Sequence, residues 1–116
     1  LEQYFVQAIQ EETYIGWIAK DGDTVVGTGG MSIRHHPGSF KNPAGITGYI
    51  MNMYTLPQYR KQGICKKLLR HLTDTGNDMG ITTFELHATE KGAPIYEQNG
   101  FRKHHEPTYR KFDTKD

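Results

Sequence analysis

Between Tyr49 and Leu72 the chain changes character twice, and few folds accommodate both changes. Tyr49 to Thr55 is rich in aromatic and β-branched residues, which suits a pleated strand. Pro57 cannot donate to a ladder, so strand pairing stops near it. A polar loop then leads to Gly63. From Ile64 the apolar residues recur at Ile64, Leu68, Leu69 and Leu72, the spacing of one helix face, while Lys66, Lys67, Arg70 and His71 fall mainly on other faces. A strand, a glycine-containing loop and a helix N-terminus together make an anion site. The first turn of a helix has free N–H groups, and its macrodipole places partial positive charge there. Gly63 lets a phosphate approach the backbone without meeting a Cβ. Arg60, Lys61, Lys66 and Lys67 add cationic charge around the same point. An ordinary strand-to-helix turn with solvated basic side chains has the same local pattern, so this junction alone leaves both readings open.

A resemblance separates them. Arg60-Lys61-Gln62-Gly63-Ile64-Cys65 resembles the Q/R-x-x-G-x-G/A acetyl-CoA signature of the GNAT superfamily of N-acetyltransferases. Tyr54-Thr55-Leu56-Pro57-Gln58-Tyr59 looks like that family's strand and "V-x-P-x-Y" lead-in. Ile95-Tyr96-Glu97-Gln98-Asn99-Gly100-Phe101 is similar to its C-terminal "lYeklGF" segment. Two motifs in order and at a plausible separation are more specific than either alone. The resemblance covers nearly the whole chain and is strongest from Ile50 to Phe101. It implies a single α/β (mixed α+β) domain over residues 1–116, a GNAT-like twisted mixed sheet flanked by helices. Family members usually begin with a strand and a helix, and the sequence, opening at Leu1 in an amphipathic segment, is expected to lack both.

The elements can be placed in order. Leu1 to Glu12 reads as a helix, with Leu1, Phe5, Ala8 and Ile9 on one face. Tyr14 to Ala19 and Thr24 to Ile33 read as strands joined around Asp21-Gly22. Trp17 reads as core or hairpin packing. Arg34 to Gly48 reads as a loop by composition, and the resemblance implies a place for it beside the acceptor site. Ile81 to Ala88 reads as a strand with Phe84, Leu86 and Ala88 on one face. Pro94 suits the first turn of a short helix ending at Asn99-Gly100, and Tyr109 to Phe112 could complete a final strand.

Composition narrows the partners. The 116 residues carry 14 basic and 13 acidic side chains, a net charge of +1, so bulk charge suggests neither a nucleic-acid nor a membrane surface. One cysteine allows no intrachain disulfide framework and no multi-cysteine metal site, which fits a reducing compartment. With no run of about 18 apolar residues and no basic-then-apolar leader, a cytoplasmic location is the simplest expectation. Adjacent histidines on extended chain point to opposite faces, so neither His35-His36 nor His104-His105 makes a bidentate site, and no functional metal is expected.

The resemblance also assigns roles. Acetyl-CoA is the implied cosubstrate, with its pyrophosphate on the backbone N–H groups of Arg60, Lys61, Gln62, Gly63, Ile64 and Cys65. Lys66 adds charge beside it, and the pantetheine arm runs along the strand edge at Met53, Tyr54 and Thr55, its amides pairing like an added strand. A backbone N–H near Tyr54 or Thr55 is the expected donor to the thioester oxygen. Cys65 stands where the family has glycine or alanine, is expected at the pyrophosphate end far from the thioester, and reads as packing rather than a nucleophile. Tyr96 is the expected proton donor to the leaving thiolate. Many relatives place a glutamate on the strand before the signature, whereas Tyr49-Ile50-Met51-Asn52-Met53 has none. Asn52 cannot act as a base but can orient an amine or a water. His87, of the type that titrates near neutrality, is the candidate base beside a water relay or an amine bound already neutral. The implied activity is N-acetylation of a small-molecule or peptide amine by direct attack in a ternary complex. The alternative is an inactive coenzyme-A-binding or regulatory module of the same fold. Relatives frequently dimerise, so a homodimer is compatible with the sequence.

Overall fold

The computed structural model describes residues 3–104, 109 and 111–113. Among these residues five strands form one sheet in sequence order: β1 (Gln3–Gln10), β2 (Tyr14–Asp21), β3 (Thr24–His35), β4 (Ile46–Thr55) and β5 (Phe84–Glu85). The first four run antiparallel, whereas β5 is parallel to β4. A parallel return needs a long crossover. Here it consists of a 3₁₀ turn at Pro57–Tyr59 and helix α1 (Ile64–Asp78). A short helix, α2 (Ala93–Gln98), follows β5.

The helix face read from the sequence is the one that is buried. Ile64, Leu68, Leu69 and Leu72 are each no more than 2% exposed. Leu69 and Leu72 pack with Ile15, Met31, Ile33 and Ile50 of the sheet, and Ile64 and Leu68 with Ala19 and Val26. Tyr96 of α2 and Phe101 beyond it lean on the first of these groups, so α2 sits beside α1. Trp17 packs as expected: its indole N–H donates to Thr75 Oγ1 at 3.1 Å and its ring stacks on His71, with centroids 4.4 Å apart. No helix among the described residues is long and apolar enough to cross a membrane.

Several expectations are corrected. Residues 3–10, read as part of a helix, form edge strand β1, and Leu1 and Glu2 lie outside the described residues. The free edge of β2 offers Gln3 to Gln10 a ladder that outweighs weak helical periodicity. A register shift between Gln7 and Ile9 breaks the alternation that would have announced a strand. The loop read as Arg34 to Gly48 shrinks to 36–45, because β3 runs on to His35 and β4 starts at Ile46. The strand read over Ile81 to Ala88 pairs only at Phe84 and Glu85, since the chain then turns away from β4. Within the expected last strand, Tyr109, Lys111 and Phe112 have no regular structure and Arg110 lies outside the described residues.

Candidate active site

The junction after β4 is built to leave backbone donors open. Tyr59 anchors the 3₁₀ turn, its hydroxyl donating to the buried Asp21 carboxylate at 2.9 Å. Arg60 folds back onto the strand: its Nε–H donates to the Thr55 carbonyl at 3.0 Å, and its guanidinium lies 5.7 Å from the Tyr54 ring centre. Gln62 is held from both sides, donating to the Gln58 carbonyl at 3.4 Å and accepting from Gln3 of β1 at 3.0 Å. Lys61 (φ 64°) and Gly63 (φ 81°) both take the left-handed conformation, and the backbone N–H groups of residues 61–65 meet no acceptor among the described residues, the kind of turn that suits an anion. Gly63 is the N-cap of α1, and no side chain caps the helix there. The first turn holds no acidic residue, and Arg60, Lys61, Lys66 and Lys67 are exposed without an acidic partner among the described residues. Ile64 is buried and can offer only its backbone.

The second part of the site is the gap between β4 and the chain after β5. These two parallel segments pair at Gly48 with Phe84 and Tyr49 with Glu85, then separate. Between them lies a cavity of about 300 Å³, walled by Ile50 to Met53 on one side and Leu86 to Thr89 on the other, with Gly92 and Tyr96 of the α2 segment closing it. Past Tyr49, β4 therefore has an unpaired edge among the described residues, which is what an added extended ligand needs. β4 is also bulged. Gly30 pairs with Met51 and Thr28 with Tyr54, so Asn52 and Met53 together oppose Gly29. Such an extra residue leaves the ladder, two residues upstream of the Tyr54 and Thr55 N–H groups expected to face the thioester oxygen.

Tyr96, the expected proton donor, lines this cavity and meets the ring edge of Phe101 with centroids 6.2 Å apart. The Cys65 thiol lies close to the Tyr96 hydroxyl, so α1's first turn and the tyrosine are neighbours. Cys65, expected at the pyrophosphate end, thus lies beside the residue expected at the sulfur. Burial, and then proximity to the Cys65 thiol, push the Tyr96 phenol above its ordinary value of 10.0. Burial likewise pushes the Cys65 thiol up, partly offset by the Tyr96 hydroxyl. Both groups stay protonated near neutrality, which suits Tyr96 to donating a proton and leaves Cys65 a poor nucleophile. His87 is exposed at the cavity rim, its ring 5.6 Å from that of Tyr49. His36 is engaged with Thr47 Oγ1 at 2.7 Å and the Pro37 carbonyl at 3.0 Å. Among the described residues no group of three His, Cys, Asp or Glu side chains could hold a metal ion. Of the residues singled out in the sequence, Met53, His87 and Tyr96 line this cavity, whereas Gly63 and Cys65 lie in the turn and first helical turn beside it; Leu86, Thr89 and Gly92, which also line it, carry no motif of their own.

Comparison with known proteins agrees with this geometry. The sequence profile of the acetyltransferase (GNAT) family matches residues 1–101. Glucosamine 6-phosphate N-acetyltransferase of Trypanosoma brucei brucei is 30% identical over 80 residues, which are 69% of this chain and 52% of that protein. A predicted acetyltransferase with acetyl-CoA from Clostridium acetobutylicum superposes with a TM-score of 0.80 at 29% identity, over 85% of this chain and 64% of the other. A GCN5-related N-acetyltransferase from Ralstonia eutropha JMP134 gives 0.79 at 29% identity, over 84% and 65%. The chain thus spans about half the length of the curated relative and just under two thirds of these two solved chains.

Proposed function

The chain belongs to the acetyltransferase (GNAT) family, and from that premise we infer that it transfers the acetyl group of acetyl-CoA to a primary amine by direct attack in a ternary complex. The observation that supports this most is a pair of openings on neighbouring elements: the uncapped turn at Gly63, and the gap between β4 and the segment after β5, with Cys65 of the helix's first turn beside Tyr96, which lines the gap. The Arg60 N–H, expected among the donors, is already bonded to the Pro57 carbonyl at 3.3 Å; a diphosphate on the amides of residues 61–65, with Lys66 beside it, leaves the pantetheine arm free to run along Met53, Tyr54 and Thr55 into the gap. The helix dipole and free N–H groups favour the anion there.

In this reading the amine nitrogen forms a bond to the thioester carbonyl carbon, and the oxygen becomes an oxyanion facing the backbone N–H of the Asn52–Met53 bulge. Collapse breaks the carbon–sulfur bond, and the departing thiolate takes the Tyr96 proton. The nitrogen loses its extra proton to His87 or to water at the rim. Cys65 forms no acyl intermediate.

The test is release of free coenzyme A thiol from acetyl-CoA, with and without a panel of amines. Glucosamine 6-phosphate is the first amine to try, given the curated relative. Release should depend on the amine and rise with pH as the neutral amine grows. Because the Tyr96 phenol is raised above 10.0, its proton is retained to higher pH than for an ordinary tyrosine, so no decline from its ionisation should appear below about pH 10. Tight coenzyme binding without amine-dependent release would contradict the activity. A falling limb near pH 8 that vanishes in Tyr96→Phe would contradict the role given to that phenol.

A further inference from the structure

The bulge in β4 is held in place by more contacts than strand geometry needs. Asn52 has φ 57°, left-handed backbone that asparagine tolerates better than most residues. Thr28 Oγ1 donates to its carbonyl at 3.1 Å. Its side-chain Nδ2–H donates to the Tyr14 hydroxyl at 3.1 Å, from a strand two positions away in the sheet. That reach depends on Gly30, which lies between them and is buried: a Cβ there would run into the Tyr14 hydroxyl and its ring. Three strands therefore cooperate to fix the plane of one exposed amide group beside the cavity.

An amide fixed through its nitrogen presents its oxygen. Asn52 Oδ1 receives no donor from any described residue and has two lone pairs. The residue lines the cavity together with Met53, His87 and Tyr96. We propose that Asn52 Oδ1 accepts an N–H of the attacking amine, and that Tyr14 is the positioning residue that holds it for that purpose. This deepens the acetyl-transfer reading and rests on it. A neutral primary amine has two N–H groups and one lone pair. Donating one N–H to Oδ1 leaves the lone pair free to be turned toward the thioester carbon, and no proton need pass to Asn52. The arrangement selects a nitrogen that retains an N–H as the new bond forms.

Asn52 also has a purely backbone reason to be there, and the test must separate the two. Glycine adopts the same left-handed backbone without the amide, so Asn52→Gly suits the bulge's backbone and removes the side-chain amide, with both the proposed contact and its bond to Tyr14. Two coenzyme A thioethers serve as probes, each carrying an amide nitrogen on the acceptor side of the sulfur, one bond farther out than the attacking nitrogen. CoA-S-CH2-CO-NH-CH3 carries one N–H and CoA-S-CH2-CO-N(CH3)2 carries none. Their dissociation constants are measured by calorimetry on wild type, Asn52→Gly and Tyr14→Phe, with coenzyme A itself as the control for fold and coenzyme site. Wild type should prefer the N–H probe by roughly fivefold, the yield of one neutral hydrogen bond. The preference should fall within about twofold in Asn52→Gly and be reduced in Tyr14→Phe, with coenzyme A affinity unchanged. An undiminished preference in Asn52→Gly would overturn the assignment and leave Asn52 a backbone residue. Failure of the wild type to bind coenzyme A or either probe would overturn the acetyl-CoA reading itself, and this inference with it.

Discussion

Gly63→Glu is expected to reduce acetyl-CoA affinity at least about 100-fold while the protein remains folded. The reason lies in what surrounds the glycine. A Cβ on Gly27 would press against Ile64 and Leu68, so that glycine serves the core. A Cβ on Gly63 would meet nothing within 4 Å, so the protein itself does not fill this space. What needs Gly63 is its φ of 81° and the approach of a ligand. A glutamate there would project a carboxylate into the region assigned to the diphosphate, satisfy the helix N-terminus itself and repel the ligand. Losing two charge-assisted N–H contacts at about 1.5 kcal/mol each already gives a factor of about 100. Left-handed strain costs the fold on the order of 1–2 kcal/mol, tolerable at an exposed turn. Calorimetry with acetyl-CoA and circular dichroism on the same sample give both readings. Unchanged affinity in a folded variant would remove the diphosphate from this turn.

Tyr96→Phe should lower kcat by about 100-fold and shift the dissociation constant of acetyl-CoA by no more than about threefold. The phenyl ring keeps its packing on the core and its edge contact with Phe101, so a structural role would be preserved. Only the proton donor is lost, and general acid catalysis is commonly worth about 100-fold or more. Cys65 does not rescue the variant: the Tyr96 hydroxyl lowers the thiol's pKa, and removing it leaves burial unopposed, so the thiol is more firmly protonated. Steady-state kinetics at saturating amine, with coenzyme binding measured separately, decide the matter. An unaltered rate would reduce Tyr96 to a wall of the cavity.

How much of this could be read from the chain depends on how local each feature is. Pro57, Gly63 and the run from Ile64 to Leu72 act within a few residues, and the turn and helix fell where that spacing put them. Pro94 and Gly100 bounded α2 for the same reason. Residues 3–10 could not be read so, because their conformation depends on the unpaired edge of β2 and their alternation is broken by a bulge. The shortness of β5 was equally hidden: its residues have a strand pattern, and only the course of β4 decides how many of them pair. Asn52 was legible as a polar residue able to orient an amine. Its partner Tyr14 lies 38 positions away, and the glycine that lets them meet carries no motif. The contact between Cys65 and Tyr96 joins two motifs that sequence reasoning assigned to opposite ends of the coenzyme.

The central claim is that one ligand spans the turn at Gly63 and the gap beside β4. Titrating 15N-labelled protein with acetyl-CoA while following each backbone amide by NMR tests it most directly. Saturable shifts are expected at Lys61 to Lys66, at Asn52 to Thr55 and at Tyr96, all with one dissociation constant. Binding that leaves the amides of Gly63, Ile64 and Cys65 unmoved, or that shifts them without moving those of β4, would contradict the account.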